Sequence, residues 1–162
     1  MFAYFTFTSE VNPFFLLSLT GLALTVYGVI IPTEIRDYFV DKAMNIETFT
    51  VRLGLVRASL LSMLLLVLGA AFIGVAFVLG FSQGSYHLLS FLPLVMLVTC
   101  SIVLAKFKKL YNLCKKYANS NGQSSVEQDI VRLSARNPQW IMLITQTYSL
   151  LSIVLLVSKL WQ

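Results

Sequence analysis

Ile31-Pro32-Thr33-Glu34-Ile35-Arg36-Asp37-Tyr38-Phe39-Val40-Asp41-Lys42 is the stretch on which the reading of this chain turns. It follows a long apolar run and holds three carboxylates, Glu34, Asp37 and Asp41, beside two cations, Arg36 and Lys42. Continued as a helix, it sets the carboxylates at i, i+3 and i+7, on one face. Like charges stacked in this way repel one another unless something binds between them. Carboxylate oxygens are hard ligands that suit Mg²⁺, which takes one or two of them and completes its shell with water and phosphate. The plainer alternative is a solvated turn at a membrane edge, partly neutralised by Arg36 and Lys42. Pro32 predicts a kink or helix restart just before the acidic face. Asn45 predicts the helix stop, because Asn tolerates the left-handed backbone found after helix ends. Residues 46–57 read as a connecting segment, with Gly54 ending a local turn.

Outside this stretch the chain is mostly apolar. Of its 162 residues 57% are hydrophobic and 12% charged, against about 25% charged in a soluble domain. Mean hydropathy is +0.80. The composition predicts an all-α, multispan integral membrane protein built as one domain. Residues 1–9 carry no basic segment, so no secretory signal is expected. Spans are expected at about 14–32, 58–81, 88–105 and 141–158, each about long enough for a hydrocarbon core of ~30 Å. Gly69, Ala70, Ala71, Gly74 and Ala76 supply small residues for close helix contact in the second span. Pro93 stands near the start of the third.

The polar segments 33–57 and 106–140 then read as loops on one side. In the second, Ser124-Ser125-Val126-Glu127 offers a capping box. Val126, Ile130 and Leu133 follow at helical spacing, which predicts a short amphipathic helix at the membrane interface. Pro138 closes it, and Trp140 and Trp161 stand where interfacial aromatics belong. Four of the twelve basic residues fall in 33–57, seven in 106–140, and only Lys159 elsewhere. The positive-inside rule therefore predicts both loops on the cytoplasmic side of the cell membrane and both termini outside. The same rule accounts for the net charge of +5, so no nucleic-acid partner is expected. Cys100 and Cys114 form no metal-ligand or disulfide pattern. His87 stands alone in a short turn. Tyr27, Thr145, Gln146 and Tyr148 predict hydrogen bonds between helices. The basic and aromatic residues between Lys106 and Tyr117 read as a cytoplasmic anchor, with anionic lipid headgroups as the alternative contact.

Asp37 and Asp41 form a D-x-x-x-D, preceded by Glu34 and followed by Asn45, Thr48, Val51, Arg52 and Gly54. This pattern resembles the second aspartate-rich motif of the UbiA superfamily of intramembrane prenyltransferases, roughly D-x-x-D-x-x-x-D-x-x-x-G-x-x-T-x-x-V-R-x-G. Glu34 departs from the usual Asp or Asn and keeps an oxygen ligand. Asn45 departs from Gly and keeps a residue that tolerates a left-handed backbone. The resemblance covers the last four of that family's nine transmembrane helices. The family's first motif, of the form N-D-x-x-D-x-x-x-D, occurs nowhere in the chain.

The resemblance implies Mg²⁺-dependent transfer of a prenyl group from a polyprenyl diphosphate to an aromatic or lipid acceptor. It implies Asp37 and Asp41, with Glu34 as a third carboxylate, as metal ligands. Arg36 and Lys42 would touch the diphosphate or else serve as an ordinary charge pair and anchor. Asn45, Thr48, Arg52 and Gly54 would organise the loop. A companion polypeptide would carry the first motif, and membrane lipid would surround the whole. Two rivals stand beside this reading: a non-catalytic subunit or degenerate remnant of the same fold, and a small transporter subunit. The transporter would need ionisable residues within its spans, and the four apolar runs hold none.

Overall fold

The computed structural model describes residues 13–82, 92–120 and 123–160. His87, most of the expected turn around it, and Trp161 lie outside the described residues. Six helices follow one another: α1 (Pro13–Ala43), α2 (Phe49–Leu53), α3 (Leu55–Ser82), α4 (Leu92–Asn119), α5 (Ser124–Ser134) and α6 (Asn137–Leu160). Among the described residues there is no strand. Two helices, α1 over Leu16–Ala43 and α3 over Leu55–Ala76, are long and apolar enough to cross a membrane. Both leave large apolar side chains exposed, among them Tyr27 and Ile30 on α1 and Leu64, Val67, Val75 and Val78 on α3. A membrane location suits such surfaces, because lipid covers what water would not.

The largest interface joins α1 to α3, and small residues make it. A Cβ on Gly21 would stand 2.8 Å from the Gly69 carbonyl oxygen, and one on Gly28 would stand 2.9 Å from that of Ser62. The pairing order, 21 with 69 and 28 with 62, makes the two helices antiparallel. Gly69 thus takes the close-contact role that its size predicts. Gly74 is less tightly placed, with only Leu97 of α4 at ordinary distance.

Pro32 neither breaks nor restarts the helix: α1 runs through it. The physical reason is supplied by neighbouring helices. Proline has no N–H, so the Gly28 carbonyl, four residues earlier, loses its helical donor. Ser62 of α3 donates its hydroxyl to that carbonyl at 2.6 Å. One residue on, Asn137 of α6 donates its side-chain amide to the Val29 carbonyl and, at 2.8 Å, to Thr33 Oγ1. Neighbouring polar side chains are what make proline tolerable inside an apolar helix.

Two buried clusters lie one beyond the other along the bundle. The first gathers Val29, Leu66, Ile73, Met96, Cys100, Val103, Phe107 and Ile144. The second gathers Ile31, Ile35 and Tyr38 of α1, Leu55 and Ala58 of α3, Leu110 and Cys114 of α4, and Val126 and Ile130 of α5. Helix α4 serves both. Its buried residues Met96, Cys100, Val103, Phe107, Leu110 and Cys114 alternate by four and three, the spacing of one continuous helix face. From Leu92 on, the expected span 88–105 therefore belongs to a helix that continues to Asn119 through the lysines, and 106–140 is mostly helix rather than loop.

Three further expectations are corrected. Helix α5 is capped by Gln123 with no side-chain hydrogen bond, so Ser124-Ser125-Val126-Glu127 is its first turn and not a capping box. Its apolar face does not lie on lipid, because Val126 and Ile130 are buried against α1 and α4. Pro138 stands in the first turn of α6, where a missing N–H costs nothing, and does not close α5. The helix that covers the second expected span begins earlier, at Leu55, and the helix that covers the described part of the fourth begins at Asn137.

Candidate functional site

The last three turns of α1 carry Glu34, Asp37 and Asp41 along one face, as the spacing predicts. How the chain then reverses decides what faces them. Ile46 N–H donates to the Asp41 carbonyl at 2.8 Å, and Asn45 N–H to that of Lys42 at 3.3 Å. Asn45 has φ 56°. These are the two backbone bonds and the left-handed residue of a Schellman ending. The stop expected at Asn45 is found there. The reversal brings Thr48 and Phe49 back beside the acidic face. An open cleft of about 560 Å³ results, lined by Glu34, Asp37, Val40, Asp41, Thr48 and Phe49.

Helix α1 lines the cleft with three carboxylates and Val40, and the returning segment lines it with Thr48 and Phe49. Phe49 and Val40 are both about half exposed, at 49% and 55%. Met44 and Ile46 extend the exposed apolar surface nearby. Thr50, fully buried, anchors the returning segment through a long hydrogen bond of 3.5 Å to the Glu34 carbonyl. Its hydroxyl also lies 3.4 Å from that of Thr48. Gly54 adopts φ 81° and ψ 151°, a region that is essentially glycine's alone. A Cβ there would meet nothing within 4 Å, so backbone geometry and not space requires glycine at the α2–α3 junction.

The cations of the motif do not line the cleft. Arg36 donates to both Asp37 oxygens, at 2.8 and 2.9 Å. These hydrogen bonds, opposed by slight desolvation and helped by the guanidinium charge, hold the Asp37 carboxyl below the usual carboxylate range. Lys42 places its ammonium 5.7 Å from the centre of the Tyr38 ring. Arg52 pairs with Glu47 at 2.7 Å, on the surface. Arg36 thus forms the charge pair that the sequence held open beside diphosphate contact, and Lys42 lies over a ring of its own helix.

The donor set suits a hard cation only in part. Glu34 Oε2 is buried and has no partner, which leaves it free to accept one. Asp37 is already engaged by Arg36. Among the described residues no three His, Cys, Asp or Glu side chains stand together as a metal group. A Mg²⁺ held by one or two carboxylates and completed by phosphate and water needs no such trio.

The expected hydrogen bonds between helices form elsewhere. Thr145 bonds back to the Ile141 carbonyl of its own helix at 2.9 Å. Tyr27 is 67% exposed and Gln146 is also exposed, while the Tyr148 side chain lies outside the described residues. Ser62 and Asn137 take that role instead. The signal for them is Pro32, which requires an outside donor four residues back. The apolar lining is likewise absent from the sequence reading, although Val40 follows Asp37 by one turn and Phe49 follows Thr48 directly. No family model, no curated protein and no solved structure matches the chain.

Proposed function

We propose that the chain is the four-span, C-terminal half of a UbiA-type prenyltransferase. Its cleft would bind the diphosphate end of a polyprenyl diphosphate with Mg²⁺. The observation that carries this reading is the shared cleft. Glu34, Asp37, Asp41 and Thr48, four positions of the motif, border one opening that the apolar side chains Val40 and Phe49 also line. A ligand with a charged head and a hydrocarbon tail matches that lining. Glu34 and Asp41 would hold the metal, with Asp37 joining when Arg36 releases it. Mg²⁺, when bound, would neutralise charge developing on the leaving diphosphate. The half-site would be completed by a companion polypeptide with the first aspartate-rich motif. On this reading α4 and α6 also cross the cell membrane, the cleft opens to the cytoplasm, and both termini lie outside.

The test is binding of a labelled polyprenyl diphosphate to the purified chain in nanodiscs, with and without Mg²⁺. Binding that needs both Mg²⁺ and the carboxylates, and is lost in Asp37→Ala/Asp41→Ala, supports the proposal. Equal binding by the double variant refutes it. A second reading, a non-catalytic subunit of the same fold, is favoured by the Arg36–Asp37 contact, which occupies a carboxylate that the reaction would need. A transporter finds less support. Thr25 and Thr99, the buried hydroxyls on the faces of α1 and α4, bond to carbonyls of their own helices.

A further inference from the structure

The outer face of α4 changes character within two turns. Val95, Val98, Ile102, Lys109 and Lys116 are all exposed, and they stand at i, i+3, i+7, i+14 and i+21, one stripe of the helix. The upper half of that stripe is apolar and the lower half is lysine. Lys108 and Lys115, each about 100° round the helix from the next stripe lysine, are exposed too, while Phe107, Leu110 and Cys114 turn into the bundle. Lys106, at the change-over, lies 6.0 Å from the centre of the Trp140 ring. Trp140 itself packs at the edge of the first core cluster. A tryptophan and a lysine at one level, with apolar surface on one side and charge on the other, mark the edge of a hydrocarbon layer.

We infer that this edge of α4 is a binding surface for the phosphate headgroups of anionic phospholipids, formed by Lys106, Lys108 and Lys109. The inference rests on the membrane placement proposed above. The occupant follows from continuity: the acyl chains that cover Val95, Val98 and Ile102 end in headgroups at the next turns of the same face. Charge complementarity selects the anionic ones. Depth separates the lysines. At ~1.5 Å rise per residue, Lys108 and Lys109 lie ~3 to 5 Å beyond Lys106, and Lys115 and Lys116 ~14 to 15 Å beyond it. The headgroup layer is only about 5 to 8 Å deep on each side. The first pair therefore sits among the phosphates, and the second pair projects past them.

The experiment uses the full chain with Trp161→Phe, which leaves Trp140 as the one fluorophore of its kind. The chain is reconstituted in phosphatidylcholine vesicles containing brominated phosphatidylserine or, separately, brominated phosphatidylcholine. Stronger quenching of Trp140 by the serine lipid, falling as salt is raised, is the expected result. Lys108→Gln/Lys109→Gln should reduce the preference severalfold, and Lys115→Gln/Lys116→Gln should change it by less than about twofold. Equal quenching by both lipids, or equal effects of the two lysine pairs, overturns the inference. No quenching by either lipid overturns the membrane placement itself, and with it this surface.

Discussion

Replacing Ser62 by Ala should destabilise the bundle by an amount that depends on Pro32. In the native chain the Ser62 hydroxyl reaches the Gly28 carbonyl at 2.6 Å, where proline has withdrawn the helical donor. Leaving a buried carbonyl unsatisfied costs about 1 to 3 kcal/mol. Measured hydrogen bonds between membrane helices average about 0.6 kcal/mol and reach about 1.7. The Gly28 carbonyl has lost its usual donor, so the upper part of that range applies, and ~1.5 kcal/mol is expected for Ser62→Ala. In a Pro32→Ala background the backbone N–H returns and the carbonyl is satisfied within α1. There Ser62→Ala should cost less than ~0.5 kcal/mol, giving a coupling of about 1 kcal/mol in a double-mutant cycle. Reversible unfolding in mixed micelles, or steric trapping in bicelles, reads all four variants. Equal cost in both backgrounds would show that Ser62 does not replace the proline's missing donor.

Other substitutions test the remaining contacts. A Cβ at Gly69 would meet the Thr25 hydroxyl and lie 2.6 Å from the Gly21 carbonyl oxygen and 2.8 Å from the Thr25 amide. Gly69→Ala should therefore cost at least about 1 to 3 kcal/mol, whereas Gly74→Ala should be nearly neutral in the same unfolding assay. Gly54→Ala meets no atoms but must hold a glycine-only backbone conformation. A loss of about 1 to 3 kcal/mol is expected, and an unchanged unfolding midpoint would contradict the strain argument. The Asp37 carboxyl is held low by Arg36, so the stability from that contact is present above the ordinary carboxylate pKa and lost as pH falls through the lowered value. Arg36→Gln should move the Asp37 titration upward in a carboxyl-resolved NMR experiment. An unmoved titration would mean that the pair does not persist in solution.

The parts of the fold that follow from local chemistry are legible in the sequence. Asn45 ends α1 because few other residues adopt its backbone, and Gly54 turns the chain for the same reason. The spacing of Glu34, Asp37 and Asp41 is enough by itself to put them on one helical face. What hydropathy conceals is the length of α4. The exposed lysines lower the average after Ala105, although Phe107, Leu110 and Cys114 keep the inward period intact. The role of α5 is concealed differently: an amphipathic helix declares that it has an apolar face but not whether lipid or protein covers it. The side of the cleft that faces α1 depends on the Schellman reversal, which brings Thr48 and Phe49 back from beyond Asp41. Spacing along one helix does not reveal such a contact.

Pro32 ties these observations together. A proline just before three carboxylates would ordinarily let the acidic turns swing independently of the apolar part of α1. Here the Gly28 carbonyl that it leaves without a donor is held from outside by Ser62, and the next carbonyl, Val29, also accepts from Asn137. Contacts from α3 and α6 thus support the helix just before Glu34, Asp37 and Asp41. The motif is contiguous in sequence, but its support is tertiary. Asn137 stands more than a hundred residues from the carbonyl that it holds, so a fragment ending before α6 would keep every motif residue and lose one of the two clasps. The proposed binding of a diphosphate should accordingly be weakened by Asn137→Ala, although Asn137 does not line the cleft. A variant that binds as the native chain does would show that the acidic turns keep their direction without help from α6.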